Sequence, residues 1–173
     1  MDDGLADHLR RGLALPRLSL PATDGQKVCL AALAGRSLLI AYPWTGRPGS
    51  PNPPDWDAIP GAHGSTPELE GFRDAAGAFA RFNVRLLGLS RQTTDYQAEL
   101  ASRLNLPFPI LSDAQGHFAA ALGLPVFTTG GETYLKRLTL VIDDGRLVRH
   151  FYPVPEPAAH AGELLHWLRE EGA

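Results

Sequence analysis

The chain predicts an α/β fold, a three-layer sandwich around a central mixed β-sheet in a single domain. Strand-like apolar runs alternate with amphipathic helical stretches between residues 66 and 122, the pattern of strands joined by crossing helices. A hairpin pattern around Asp144-Gly145 and a closing helical pattern follow, which add antiparallel strands to the same sheet. A chain of 173 residues at 44% hydrophobic content forms one core and buries roughly 70% of its unfolded surface. Internal repeats are absent from the sequence.

Leu5 to Leu15 carries apolar residues at helical spacing and stops before Pro16, which predicts a lead-in helix as an N-terminal extension. Leu18–Leu20 and Val28–Leu30 flank Asp24-Gly25 and read as a small hairpin. Leu38 to Tyr42 is a continuous apolar run between Gly35 and Pro43, a buried central strand. Pro43 to Pro60 then carries prolines at 43, 48, 51, 53, 54 and 60 and glycines at 46 and 49, a composition that excludes helix and strand. A loop of that length is expected to surround a functional site. Thr66 to Phe82 is one helix, with Leu69, Phe72, Ala76 and Phe79 on a stripe. Val84–Leu89 is a strand, Thr93–Leu104 a helix with polar capping residues, Phe108–Leu111 a short strand and Ala114–Leu122 a short helix. Leu138–Ile142 and Leu147–Phe151 make the hairpin, and Pro157–Arg169 the last helix.

A net charge of −3 and a pI near 6.0 give no reason to expect nucleic acid. The longest apolar run is too short to cross a bilayer, and Met1-Asp2-Asp3-Gly4 lacks the basic-then-apolar order of a signal peptide. The one cysteine, Cys29, cannot form an internal disulfide. The expectation is a cytoplasmic protein without membrane or nucleic-acid partners. The histidines show no metal-ligand spacing and no cofactor is called for.

Several short motifs stand in a fixed order: Tyr42-Pro43, Gly64-Ser65-Thr66-Pro67 with Phe72-Arg73-Asp74, Gly88-Leu89-Ser90, Phe108-Pro109-Ile110-Leu111-Ser112-Asp113, and Lys136-Arg137-Leu138-Thr139-Leu140-Val141-Ile142-Asp143. Together, from about Leu15 to Leu168, they resemble the peroxiredoxins (AhpC/TSA type), specifically the bacterioferritin-comigratory or PrxQ-like branch. The resemblance implies a thioredoxin-like fold and a thiol-dependent peroxidase. Its substrates would be hydrogen peroxide and organic hydroperoxides, its reductant an external thiol such as thioredoxin or glutaredoxin, its state monomer or homodimer. The peroxidatic cysteine of that family aligns with Ser65, and the resolving cysteine of many members with Glu70. The family's Pro-x-x-x-Thr-x-x-Cys run is interrupted by the Pro-rich insertion. Ala62 stands where its threonine would be, and Pro43 and Thr45 are candidates for those roles from the far side of the insertion. The resemblance also places Thr66 at the site and Arg137 beside it, holding thiolate and peroxide oxygens.

The first turn of a helix offers unpaired N–H groups and the positive end of the macrodipole, which with a guanidinium lowers a thiol pKa. Attack on the O–O bond then gives a sulfenic acid that a second thiol reduces. Serine has no such oxidation ladder, so the chain as written is expected not to turn over peroxide. Two explanations stand side by side: an inactive Cys→Ser form of a 1-Cys peroxidase, or a natural pseudoenzyme kept for binding or regulation. Ser65 and Glu68 also spell a capping box, with Pro67 suited to the first turn. A serine hydrolase through His63 is a remote third reading, since no Gly-x-Ser-x-Gly elbow is present and no acid is evidently placed to orient the histidine. Cys29, in a Val-Cys-Leu triplet, is expected to be a buried bystander. Trp44 and Trp56 either roof the pocket or pack the insertion down.

Overall fold

The computed structural model describes residues 2–171. A five-stranded sheet runs in the order β5-β4-β3-β8-β9. β3 (Arg36–Ala41), β4 (Val84–Ser90) and β5 (Ile110–Ser112) are parallel, and β8 (Leu138–Asp143) and β9 (Arg146–Phe151) continue antiparallel from the other side of β3. This is the mixed central sheet that the alternation predicts. β1 (Ser19–Pro21) and β2 (Lys27–Cys29) form the small hairpin as a separate ribbon.

Side-chain alternation divides the core between the two faces of the sheet. Leu38 and Ile40 of β3 point with Val141 of β8 towards α1 (Ser65–Asp74), α2 (Ala76–Arg81), α3 (Thr94–Arg103) and α5 (His160–Glu171), where Leu69, Phe72, Phe79, Leu100 and Leu164 meet them. Leu39, Ala41, Leu140 and Ile142 point to the other face. There they meet Leu9, Leu15, Leu30 and the apolar side of α4 (His117–Leu122). Arg36 ties the sheet to the last helix, since its guanidinium donates to both oxygens of Asp143 and both oxygens of Glu171 at 2.7–3.0 Å.

Several elements depart from the sequence reading. The stretch Leu5–Leu15 is not a helix. It is a string of single turns whose far end pairs with the edge strand: Gly12 N donates to Leu147 O, Leu147 N to Leu13 O, and Leu15 N to Gly145 O. Gly12, at φ 92°, makes the bend possible, and the open edge of β9 supplies backbone partners that outweigh weak helix propensity. The helix expected over Thr66–Phe82 is broken at Ala75 (φ −95°, ψ 3°) into α1 and α2. The helix expected from Ala114 begins at His117, because Gly116 is left-handed and Asp113 accepts from the N–H groups of Phe118 and Ala119. The last helix is preceded by a 3-10 turn over Pro157–Ala159, and another such turn, Trp56–Ala58, sits inside the Pro-rich insertion. The hairpin of β6 (Val126–Thr129) and β7 (Glu132–Leu135) escapes the sequence reading, although Gly130-Gly131 between its strands is a recognisable two-residue turn.

At the β8–β9 turn, Asp144 and Gly145 both take positive φ (48° and 80°), and a Cβ on Gly145 would lie 2.2 Å from the carbonyl oxygen of Ala31. Gly131 has the same φ of 80° with nothing within 4 Å of its would-be Cβ. Both glycine-to-alanine changes carry the left-handed penalty of about 1–2 kcal/mol, and Gly145→Ala adds a backbone clash. Urea unfolding is expected to show Gly145→Ala destabilised clearly more than Gly131→Ala. Equal losses would mean that the Ala31 segment yields freely.

Candidate functional site

After β3 the chain passes through buried Tyr42 and Pro43 into the insertion, whose proline-rich backbone cannot join a ladder. Several of its polar groups are satisfied from the side. Thr45, 1% exposed, donates through its N–H and Oγ1 to Gln92 Oε1 at 3.3 and 3.2 Å. The Thr45 carbonyl accepts from Gln92 Nε2 at 3.1 Å and Tyr96 Oη at 2.9 Å. Arg103 donates to the Gly46 carbonyl at 3.0 Å, and the Arg47 guanidinium lies 4.0 Å over the Tyr96 ring. From the other side Thr129 Oγ1 donates to the Pro54 carbonyl at 2.6 Å. Trp56 is the buried centre of the insertion, with ring centroids 5.5 Å from Trp44, 5.6 Å from Phe127 and 5.2 Å from Tyr134. The sequence reading missed Gln92, Tyr96 and the β6–β7 aromatics as supports of this segment.

Beneath this roof α1 begins. Gly64 is its N-cap at φ 111°, a left-handed conformation, and a Cβ there would lie 2.7 Å from Pro157. Ser65 is therefore already the first helical residue, and its side chain cannot reach the groups that an N-cap oxygen serves. The capping box read from the sequence does not form. The Ser65 hydroxyl is buried, at 4% residue exposure, and has no hydrogen-bond partner. It lines a cavity of about 300 Å³ together with Trp44, Thr45, Asn52, Trp56, His63 and Thr66.

Arg137, just before β8, reaches under this turn. Its Nη1 donates to Glu68 Oε1 at 2.8 Å, and its Nη2 to the carbonyls of Gly61, Ala62 and His63 at 3.3, 3.4 and 3.1 Å. The two side chains of the ion pair are 3% and 0% exposed. No hydrogen bond joins Arg137 to Ser65. A buried carboxylate and three carbonyls are stronger acceptors than a hydroxyl, so the guanidinium brackets Ser65 from the residues on either side of it. Burial raises the Glu68 carboxyl to about 7, against the pull of Arg137.

The other predicted positions fall as follows. Thr45 and half-buried Thr66 share the cavity with Ser65, whereas Pro43 is buried at the end of the central strand. Glu70 lies on the outer part of α1 facing Arg73 at 3.7 Å. Cys29 is half-buried at the end of β2, not fully buried as its triplet suggests, because the β1–β2 ribbon is covered on one side only. His63 does have an acid, since its Nε2 pairs with Asp57 at the exposed rim, a contact made by the 3-10 turn that the sequence reading did not foresee. No hydrogen bond carries that pair on to Ser65. Among the described residues no group of three or more His, Cys, Asp or Glu could hold a metal, and no helix is long and apolar enough to cross a membrane.

A mixed sheet with helices on both faces and a buried residue opening a helix after the central strand define a redoxin-type domain. The sequence profile of the Redoxin family matches residues 10–165, and the chain belongs to that family. Within it the relatives are peroxiredoxins of the Bcp/PrxQ kind. Peroxiredoxin Bcp of Escherichia coli is 26% identical over 166 residues, covering 94% of this chain and 97% of that protein. The chloroplastic peroxiredoxin Q of Oryza sativa is 27% identical over 160 residues and 92% of this chain, and the chain spans just under two thirds (66%) of that protein's length. The crystal structure of peroxidoxin BcpB from Mycobacterium tuberculosis superposes with a TM-score of 0.75 at 29% identity, covering 94% of this chain and 98% of that one. The fold is thus the thioredoxin-like peroxiredoxin fold.

The raised Glu68 carboxyl has a consequence for stability. Between the ordinary glutamate value near 4.5 and about 7, the folded protein holds a proton that the unfolded chain has released. Stability contributed by that protonated state is therefore present at low pH and is lost as pH rises through this window, by at most about 1.4 kcal/mol per pH unit. Glu68→Gln is expected to flatten that part of the profile in urea unfolding at a series of pH values across the window. An unchanged slope would show Glu68 ionised throughout.

Proposed function

We propose that this chain is the peroxide-inert form of a 1-Cys thiol peroxidase, with Ser65 at the position of the attacking sulfur. The observation that carries the reading is the placement of Ser65. It is the first residue of α1, buried against the cavity with a hydroxyl that bonds to nothing, where the fold offers an incoming atom the N–H groups of a helix start. The kinship with Bcp and PrxQ proteins supports a thiol peroxidase chemistry.

In that chemistry a thiolate at position 65 attacks one peroxide oxygen. The O–O bond breaks, the other oxygen leaves as water or alcohol after protonation, and the sulfur becomes a sulfenic acid. An external thiol, for which thioredoxin and glutaredoxin are the candidates, then reduces it. Glu70 in place of a resolving cysteine, and Cys29 out on the ribbon, support the 1-Cys form. Arg137 acts in this reading as a positioning residue. Through the carbonyls of residues 61–63 and through Glu68 it fixes the turn that carries the attacking atom. Thr45 and Thr66 border the peroxide, and Pro43 shapes the end of the strand behind it.

One observation favours a second reading, the natural binding or regulatory pseudoenzyme: the guanidinium is committed to Glu68 and three carbonyls and does not line the cavity that Ser65 lines.

Ser65→Cys separates the two. With dithiothreitol as reductant, the variant is expected to consume hydrogen peroxide. A thiol pKa lowered by one unit raises the thiolate-to-thiol ratio about tenfold over an ordinary cysteine, so the thiol introduced at position 65 should oxidise correspondingly faster than Cys29. Intact-mass measurement during the reaction assigns the added oxygen. A folded Ser65→Cys protein without turnover, or the unaltered chain gaining oxygen rapidly at Cys29, would overturn the reading. Hydrolysis of p-nitrophenyl acetate by the unaltered chain, lost in Ser65→Ala, would instead revive the hydrolase.

A further inference from the structure

A second cavity lies on the far side of Arg137, away from the Trp44–Trp56 roof. It measures about 230 Å³ and is bordered by Gly61, Phe127, Lys136, Arg137, Tyr152 and Val154, with Pro60, Pro153 and Pro155 adding to its apolar wall. Its polar end already holds a carboxylate, that of Asp3. Lys136 Nζ donates to Asp3 Oδ2 at 2.9 Å, Tyr152 Oη donates to the same carboxylate at 2.9 Å, and the Leu5 N–H donates to Oδ1 at 3.1 Å. Arg137 is 4% exposed, and its Nε–H has no partner within the protein.

These features describe a receptor for an anion with an apolar body, occupied at present only by the charged half of one. Asp3 provides the carboxylate, but its side chain has a single methylene and leaves the wall of Phe127, Val154 and the prolines without a ligand group. We propose that this cavity is a binding site for a small monocarboxylate with a short apolar body, and that the Asp3 carboxylate is its built-in competitor.

The charge balance supports this. Lys136 holds the Asp3 carboxylate down at about 2, with further help from the Leu5 N–H and Tyr152. Burial and Asp3 together push the Tyr152 phenol up, so it stays a donor at neutral pH. The volume, below the usual 300–1,000 Å³ of drug-sized sites, limits the ligand to roughly the size of a substituted ring or a short chain. A ligand carboxylate that takes Lys136 and Tyr152 releases residues 2–4 from the body of the protein, because Asp3 is what fastens them there. The same ligand lies against Arg137, whose other face brackets Ser65, so occupancy can be read at the helix start.

The test uses the unaltered chain and benzoate, with acetate (charge without apolar body) and benzyl alcohol (apolar body without charge) as controls, followed by calorimetry and backbone amide NMR. Benzoate is expected to bind with shifts at Gly61, Phe127, Lys136 and Val154, and the two controls are expected to bind more weakly. Asp3→Asn, which keeps size and removes the competing charge, should tighten benzoate about tenfold or more. Adding Lys136→Met should reverse that gain, as losing a charge-assisted hydrogen bond does. The amide spectrum reports folding of each variant. Benzoate affinity indifferent to Asp3→Asn, absence of saturable binding in the Asp3→Asn protein, or shifts confined to Trp44, Trp56 and Ser65 would each overturn the proposal. None of these readouts depends on peroxidase activity, so the result is independent of the role assigned to Ser65.

Discussion

The buried pair Arg137–Glu68 is the constraint on which the rest of the site depends. Both side chains are withdrawn from water, and such a pair is tolerated only when the remaining donors also find acceptors. Arg137 meets most of that condition by taking the carbonyls of residues 61, 62 and 63, the last residues before Gly64 caps α1, and only its Nε–H is left without a partner. One side chain from the start of β8 therefore fixes both the approach to the helix and its first turn. Removing Glu68 would leave the Arg137 guanidinium buried without its carboxyl partner, a loss of about 3–5 kcal/mol for pairs of this kind. The geometry of Ser65 is a by-product of this pair, since it lies between the two points that Arg137 holds.

The insertion solves a related problem at larger scale. Eighteen residues rich in proline cannot hydrogen-bond to one another in a regular way, yet their segment closes over the helix start. Gln92, just before α3, and Tyr96, in its first turn, clamp the Thr45 backbone, and Thr129 clamps Pro54 from the β6–β7 hairpin. Between the clamps Trp56 is buried, with three aromatic neighbours in tilted and edge-on contact. Trp44 and Trp56 thus do both things the sequence allows: they pack the segment down and form a wall of the cavity.

What was legible in the sequence is what local periodicity records. The strand Leu38–Tyr42, the Asp144-Gly145 hairpin and the helix after Thr93 all announce themselves through burial pattern, turn residues or a cap. The order of motifs from Tyr42-Pro43 to Lys136-Arg137 identifies the family. What was not legible depends on partners far along the chain. The segment 5–15 has helical spacing, but the edge of β9 claims its backbone. Ser65 and Glu68 spell a capping box, but Arg137, 69 residues after Glu68, claims the carboxylate. The β6–β7 strands alternate in burial too weakly to be read, although the double glycine between them was a signal. His63 had an acid six residues upstream that only the 3-10 turn at Trp56 brings into reach.

Of the inward polar side-chain atoms that α1 itself carries, two have no partner, the Ser65 hydroxyl and one oxygen of Glu68. The second belongs to a carboxyl that burial pushes towards its neutral form, which costs less to leave partly unpaired than a carboxylate. The first has no such remedy. A buried hydroxyl without a partner costs about 1–3 kcal/mol. A thiol is a weak donor and weak acceptor that behaves as a small apolar group, so it suffers little from the same burial. The pocket around residue 65 is therefore better matched to sulfur than to oxygen even before any peroxide arrives. This mismatch is a property of packing and hydrogen bonding, independent of the family resemblance, and it leads to the same atom.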